Sequence, residues 1–366
     1  MTDSYMREAL ELAERGRGRT SPNPAVGAVL VRNGTVVGRG FHTWAGIDHA
    51  EIAALREAGD AARGATLYIT LEPCSHHGRT KPCADALIEA GVGRVVAAMQ
   101  DPNPLVSGKG FERLRAAGIE VTLDQEHTAQ AERLNEPFVH FMRRGLPLVT
   151  IKAALTLDGK IAAPQDNLGW ITSDVARADV QRVRHFSDAI LTGIGTVLQD
   201  DCLLTDRSGL ERSRPLLRIV LDSQLRIPLH SKMITSATGD VMLVGTSAAP
   251  EKRRTALERA GIRVVIADGP GGRTDPRQLI EYLAKERYLS LMVEAGSKVN
   301  WTMLDSQIAD KVLFYYAPKI LGGMKSLPVA GGQGRQRRID AILLERLTVH
   351  PVSKDEFAVE AYIAKA

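Results

Sequence analysis

At 366 residues the chain is too long for one ordinary domain and comfortable as two. With 44% hydrophobic and 25% charged residues it has the makeup of a globular protein that buries a core, which excludes intrinsic disorder, and its 5% of aromatic residues offers few rings for stacking single-stranded bases. The charge of +4 is uneven: residues 1–145 carry 17 Lys and Arg against 18 Asp and Glu, which is not the footprint of a polyanion binder, whereas the remaining 30 against 25 suit small anionic ligands.

The first half reads as alternating helix and strand. An amphipathic helix from about Ser4 to Arg15 carries Met6, Ala9, Leu10 and Ala13 on its apolar face. The β-rich runs Ala25 to Val31 and Thr35 to Phe41 are joined by Asn33-Gly34, the pair that best tolerates the two positive φ values of a type I′ hairpin turn. A helix from His49, a strand Thr66 to Leu71, a helix Cys83 to Ala90, a strand Arg94 to Met99, and a further helix and strand to about Leu123 follow, the pattern of an α/β layered fold. A helix from about Ala129 to Arg144 ends at Gly145, and Pro147 opens a strand Leu148 to Ala153, which puts the domain boundary near 145.

In the second half, strands are expected at Ala189 to Thr192, Leu217 to Leu221, Val241 to Val244, Val264 to Ala267, Leu291 to Glu294 and Val312 to Ala317, with helices between several of them. Loops rich in Gly, Arg and Ser lie at 206–214, 268–276 and 331–338. No apolar run is long enough to span a bilayer, and the N-terminus has no charged-then-apolar signal pattern, so a cytoplasmic protein without a membrane partner is expected.

Three cysteines in so long a chain do not form a disulfide framework, and a clustered pair points to metal or chemistry. His49-Ala50-Glu51 is followed by Pro73-Cys74 and by Cys83. One imidazole and two thiolates leave a tetrahedral zinc ion with a fourth position for water, as in catalytic sites. Zinc lowers the pKa of that water toward about 7, and an adjacent carboxylate, Glu51, can carry protons between water, ring and leaving group. His49 and Cys83 both fall at helix starts, where the partial positive charge favours the thiolate. Taken singly, His-x-Glu arises by chance and two cysteines nine positions apart can be inert core residues. In this order, at strand-to-helix junctions, they indicate a zinc deaminase centre, although eight residues separate the cysteines where the general signature has two.

That longer loop, Cys74-Ser75-His76-His77-Gly78-Arg79-Thr80-Lys81-Pro82-Cys83, resembles the loop of bacterial bifunctional riboflavin-biosynthesis deaminase/reductases. The resemblance extends to Pro22-Asn23-Pro24-x-Val26-Gly27, His42 and Gln100-Asp101-Pro102-Asn103-Pro104. In the second half it takes in Lys152, Leu157-Asp158-Gly159, Trp170-Ile171-Thr172-Ser173, Thr196-Val197-Leu198-x-Asp200-Asp201 and Val293-Glu294-Ala295-Gly296, nearly the whole chain.

The resemblance implies an α/β chain with a cytidine-deaminase-like αβα domain at 1–145, followed by a dihydrofolate-reductase-like α/β domain at 146–366. It implies Zn2+ and NADPH as cofactors and a phosphorylated ribosylaminopyrimidine as substrate. Asn23 and His42 would touch the pyrimidine, and His76 and Arg79 the phosphate or ribose; Lys81 is either a ligand or a solvated charge. In the second domain Lys152, Leu168, Arg184, Leu204, Arg207 and Glu294 would meet the substrate. Ala154, Trp170, Thr196, Asp200, Ser223 and the run Gly296, Ser297, Lys298, Val299, Asn300, Trp301 and Thr302 would meet the coenzyme. Leu168 stands where the family often has a serine. Trp170 could also be core, and Arg184 a solvated helix residue.

Gly193-Ile194-Gly195 has Leu198 where a dinucleotide-binding fingerprint needs its third glycine, and no Walker A motif is present. A homo-oligomer, dimer or tetramer, is expected. Two rival readings are a nucleoside or nucleic-acid deaminase with a non-catalytic nucleotide-binding second domain, and a nucleotide sensor built on an inactive deaminase. The basic loop and the scarcity of aromatics argue against the first, and the intact His49, Glu51, Cys74 and Cys83 set against the second.

Overall fold

The computed structural model describes residues 2–43, 48–75, 81–104, 106–165 and 168–365, which form two compact units: Met1–Gly145 with Glu211–Arg214, and Leu146–Leu210 with Pro215–Ala366. None of the described helices is long and apolar enough to cross a membrane.

Unit 1 contains α1 (Thr2–Gly16), β1 (Gly27–Arg32), β2 (Thr35–Phe41), α2 (Ala50–Ala58), β3 (Thr66–Ile69), α3 (Cys83–Glu89), β4 (Arg94–Ala97), α4 (Lys109–Ala116), β5 (Glu120–Leu123), α5 (Thr128–Leu134) and α6 (Glu136–Arg144). Its sheet has the order β2-β1-β3-β4-β5, antiparallel at β2-β1-β3 and parallel at β3-β4-β5. The hairpin turn holds Asn33 and Gly34 at φ 51° and 77°, the left-handed pair expected of Asn-Gly. Met6, Ala9, Leu10 and Ala13 are buried, so the amphipathic face of α1 lies on the core.

Where the sequence suggests one helix over 129–144 there are two. Asn135 interrupts it because its side chain is used elsewhere: Oδ1 accepts from the N–H of Ala25 at 2.8 Å and Nδ2 donates to the Ala25 carbonyl at 2.9 Å. Pro137 then starts α6, at a position where its missing N–H costs nothing.

Unit 2 contains β6 (Leu148–Thr156), β7 (Lys160–Ala162), α7 (Asp174–His185), β8 (Ala189–Gly193), α8 (Ile194–Asp200), β9 (Leu217–Leu221), α9 (Lys232–Thr235), β10 (Val241–Gly245), α10 (Glu251–Arg259), β11 (Arg263–Ile266), α11 (Pro276–Lys285), β12 (Ser290–Val293), α12 (Ser297–Asp305), β13 (Lys311–Ala317), β14 (Leu327–Pro328), β15 (Leu344–Pro351) and β16 (Phe357–Ile363). Its nine-stranded sheet runs β11-β10-β9-β8-β12-β6-β13-β16-β15, parallel from β11 to β13, with β16 and β15 antiparallel at the edge. Neighbouring strand residues go to opposite faces. Ile190, Val220, Leu243 and Met292 join one core layer, and Ala189, Leu191, Ile219, Met242 and Val293 the other. The six strands expected here are all present. The terminal hairpin β15–β16 is an addition to the sequence reading: every residue of β15 is exposed, so no alternation of apolar and polar residues marks it.

Candidate functional site

In unit 1 three elements converge at one end of the sheet. His49 caps α2 with extended backbone (φ −71°, ψ 163°), Cys83 is the first residue of α3, and Cys74 follows β3 by way of Glu72 and Pro73. The His49 Nδ1 atom lies 3.2 Å from Cys83 Sγ and 3.7 Å from Cys74 Sγ, and the three candidate ligand atoms all fall within 4.8 Å of one another. Ligands around a tetrahedral zinc with bonds of 2.0–2.3 Å stand roughly 3.5–3.8 Å apart, so this donor set fits that ion.

The electrostatics of the cluster are those of a cation site. Hydrogen bonding from Cys83 and His49 outweighs burial and holds the Cys74 thiol down to about 4, while the bond to Cys74 and burial push Cys83 up. A bond to Cys74 raises His49. A metal bound here would take both cysteines as thiolates.

Glu51, 4% exposed, sits on the first turn of α2 beside both cysteines, and burial followed by the charge of Cys74 pushes it up to about 7. His42 is also buried, with its ring edge-on to His49 at 5.2 Å between centroids. Its Nδ1 lies 3.1 Å from the Asp48 carbonyl and its Nε2 3.4 Å from Asn23 Nδ2. A donating Nδ1–H leaves Nε2 to accept from Asn23. Burial lowers His42, and this outweighs the bond to Asp48, which favours the neutral ring. His76 and Arg79 lie outside the described residues. Lys81 ion-pairs with Glu89.

One buried residue beside the cluster was not singled out from the sequence. Glu72 accepts the N–H groups of Asp101 and Gly108 on one oxygen (3.0 and 2.9 Å) and of Gly110 and Phe111 on the other (2.8 and 3.3 Å). It thereby ties the Cys74 segment to the loop that begins Gln100-Asp101-Pro102 and to the start of α4. Only its place next to Pro73-Cys74 could have signalled this.

In unit 2, Glu294 and Gly296 follow β12, Ser223 follows β9, and Thr196 and Asp200 lie on the helix after β8, past the carboxyl ends of parallel strands, where open α/β sheets bind ligands, while Lys152 and Ala154 are on β6 itself. Val293 of β12 pairs with Ile151 of β6, so the next residues along, Glu294 and Lys152, are neighbours: Lys152 Nζ is 3.2 Å from Glu294 Oε1. Arg184 of α7 closes on the other oxygen with Nε and Nη2 at 3.1 and 3.0 Å. Burial alone would raise the Glu294 carboxyl, but Lys152 and Arg184 hold it below the usual carboxylate range. Arg184 is buried, which removes the reading of it as a solvated helix residue.

Leu204 is buried with φ at 52°, and Arg207 is exposed three residues on. Leu168 is 92% and Trp170 67% exposed, so Trp170 is not core; Arg177 lies over its ring at 4.8 Å.

Of the coenzyme candidates, Ala154 is on β6, Thr196 and Asp200 are on α8, and Ser223 follows β9, where its Oγ accepts from Thr274 N at 3.2 Å. Gly296 caps α12, whose first turns hold Ser297, Lys298, Val299, Asn300, Trp301 and Thr302. Thr196 Oγ1 lies 3.9 Å from where a Cβ on Gly296 would stand, which joins the two groups. Ser297 Oγ is buried without a hydrogen-bond partner among the described residues, at a helix start whose first N–H groups have no intrahelical acceptor. That donor set fits a phosphate of a dinucleotide.

Fold and site together define a two-part enzyme: a zinc centre of the hydrolytic deaminase type, followed by an α/β unit with a nucleotide-type site. Residues 1–99 match the family model described as the cytidine and deoxycytidylate deaminase zinc-binding region, and residues 147–355 match the RibD C-terminal domain. The chain belongs to the RibD family of riboflavin-biosynthesis proteins, and is a bifunctional deaminase and reductase that uses zinc and NADPH.

It is similar to the riboflavin biosynthesis protein RibD of Bacillus amyloliquefaciens, with 39% identity covering 97% of this chain and 95% of that one. To the same protein of Escherichia coli K12 the identity is 45%, covering 88% and 90%. Among solved structures, Acinetobacter baumannii RibD superposes with a TM-score of 0.88 at 36% identity, covering 100% and 99% of the two chains. A diaminohydroxyphosphoribosylaminopyrimidine deaminase/5-amino-6-(5-phosphoribosylamino)uracil reductase from Thermotoga maritima gives 0.84 at 34%, covering 99% of each.

Proposed function

We propose that residues 1–145 deaminate a diaminopyrimidinone carrying a ribosyl 5′-phosphate, and that residues 146–366 reduce the ribosyl group of the product to a ribityl chain. The substrate matches the activity named for the Thermotoga maritima relative. The observation that carries the first reaction is the convergence of His49, Cys74 and Cys83 beside the buried carboxyl of Glu51.

His49, Cys74 and Cys83 hold zinc, which supplies Lewis acidity to a hydrolytic water. Glu51, held up to about 7 by burial, would move the water's two protons in turn: the first to a ring nitrogen as the water oxygen bonds to the ring carbon, the second to the amino group as its bond to that carbon breaks and ammonia leaves. His42, its neutral form favoured by burial, and Asn23 orient the pyrimidine edge through hydrogen bonds. His76 and Arg79 bind the phosphate or ribose.

In the second unit Lys152, Arg184, Glu294, Leu168, Leu204 and Arg207 form the substrate wall. The Lys152–Glu294–Arg184 cluster presents fixed charges to the sugar, and the exposed guanidinium of Arg207 takes the phosphate. Bound NADPH supplies the hydride. Ala154, Trp170, Thr196, Asp200 and Ser223 line its path, and the turn from Gly296 to Thr302 holds its pyrophosphate.

The chain acts as a homo-oligomer in the cytoplasm. Supporting self-association, β15 is an unpaired sheet edge with Leu344, Leu347 and Val349 exposed, the kind of edge that natural proteins usually cover.

The deciding experiment is a paired assay of the purified chain with metal analysis: one zinc per chain, deamination lost on chelation and restored by zinc, and NADPH oxidised only with the deaminated product. NADPH oxidation that requires no sugar phosphate would overturn the reading.

A further inference from the structure

The segment 203–208 has no regular secondary structure, yet most of its main chain is gripped by side chains. Arg218 Nη1 donates to the Leu203 carbonyl at 3.0 Å and Arg184 Nη1 to that of Thr205 at 2.9 Å. His185 Nδ1 meets Asp206 Oδ2 at 3.0 Å, and the other oxygen of Asp206 accepts from Ser208 N at 2.9 Å. Gln181 Oε1 accepts from Arg207 N at 2.9 Å.

Gln181, Arg184 and His185 stand at i, i+3 and i+4 on α7, one helical face aimed at three consecutive residues of the loop. The His185 and Asp206 side chains are 2% and 8% exposed, so this hydrogen-bonded pair is made away from water. Arg207 sits between two of these anchors. It is itself exposed, and its guanidinium has no partner among the described residues.

From this arrangement we infer that His185 and Asp206, with Gln181, are positioning residues that hold the Arg207 guanidinium ready for the substrate phosphate. The pair touches no substrate. It fixes the backbone on either side of the arginine, so that the phosphate meets a charge already in place and the loop loses little freedom on binding. This rests on the reading of Arg207 as the phosphate ligand.

The test compares Arg207→Ala, His185→Ala, His185→Asn, Gln181→Ala and the double variant His185→Ala/Arg207→Ala in the full chain. Each is assayed as a reductase with the deaminated ribosylaminopyrimidine 5′-phosphate and with its dephosphorylated counterpart. His185→Ala should raise the KM of the phosphorylated substrate about tenfold, with kcat and NADPH affinity unchanged and little effect on the dephosphorylated substrate. His185→Asn, which keeps a donor near Nδ1, should recover most of the loss. The double variant should be no worse than Arg207→Ala alone, since both act through one contact.

If Arg207→Ala leaves KM unchanged, the phosphate assignment itself is wrong. If Arg207→Ala raises KM but His185→Ala and Gln181→Ala do not, or if the double variant is additive, the positioning role is overturned while the assignment stands. Should His185→Ala fail to fold, Gln181→Ala decides by the same KM readout.

Discussion

At the scale of single residues, the two carboxylates Glu51 and Asp240 show burial with opposite outcomes. Glu51 is raised to about 7 by burial and then by the charge of Cys74, which His49 offsets only in part. Glu51→Gln should therefore leave bound zinc near one per chain while lowering the deaminase kcat by about 10²–10⁴, the usual contribution of a positioned acid–base group. Zinc lost together with activity, by metal analysis, would make Glu51 a ligand instead. Burial also acts to raise Asp240, but Arg218 and the N–H of Thr238 outweigh it and hold the carboxyl below its ordinary value. Arg218 is 1% exposed and meets Asp240 through Nε and Nη2, both at 2.9 Å. Because the folded value lies below the unfolded one, this contribution is complete above about pH 5 and is lost as pH falls through the folded value. Asp240→Asn should cost about 3–5 kcal/mol at pH 7, by leaving Arg218 buried without its counter-charge. Urea unfolding should show that gap shrinking toward pH 3; a gap independent of pH would contradict the account.

At the scale of elements, the zinc ligands are placed by how closely α2 lies on its hairpin. A Cβ on Gly40 would stand 2.1 Å from the Ala50 carbonyl, and one on Gly38 2.2 Å from that of Ala54. The helix that starts after His49 thus rests directly on strand backbone. Gly40→Ala should push the first turn of α2 outward, cost at least about 1–3 kcal/mol, and reduce zinc stoichiometry along with thermal stability. An unchanged zinc content would show that the ligands are not positioned through this contact. Elements were legible wherever a local pattern decides them. The amphipathic stripe of α1, the Asn33-Gly34 turn and the apolar runs of the parallel strands each carry their own signal. The break at Asn135 was not legible, because its cause is Ala25, 110 positions away. Nor was β15, whose residues are all exposed and whose pairing with β16 is the only thing that makes it a strand.

At the scale of the whole molecule, the chain divides at Gly145 and Leu146, with Glu211–Arg214 grouped in unit 1. Each unit has its own sheet and its own buried apolar layers. Residues 146–366 expressed alone should therefore fold, bind NADPH and reduce the deaminated ribosyl phosphate, with lower stability from the lost surroundings of 211–214. Circular dichroism and NADPH titration of the fragment check this, and an unfolded fragment would show that the units depend on each other. A charge placed on the exposed edge strand, Val349→Lys, should leave the fold intact and lower the oligomeric state seen by light scattering; an unchanged mass would remove β15 from the interface.

By itself the sequence determined the class of chemistry, because the order His49, Glu51, Cys74 and Cys83 specifies ligand types that few functions other than zinc catalysis need. It also determined the strand and helix alternation of both units, since burial on a sheet face or helix stripe leaves a periodic trace in the chain. Only the tertiary structure decided which charges meet. Glu294 faces Lys152 through strand register and Arg184 through the packing of α7, and His185 finds Asp206 across a loop, at separations of 142, 110 and 21 positions. Such pairs leave no local pattern, because the free energy that selects them is that of burying each charge beside its partner, and that exists only once the backbone has brought them together.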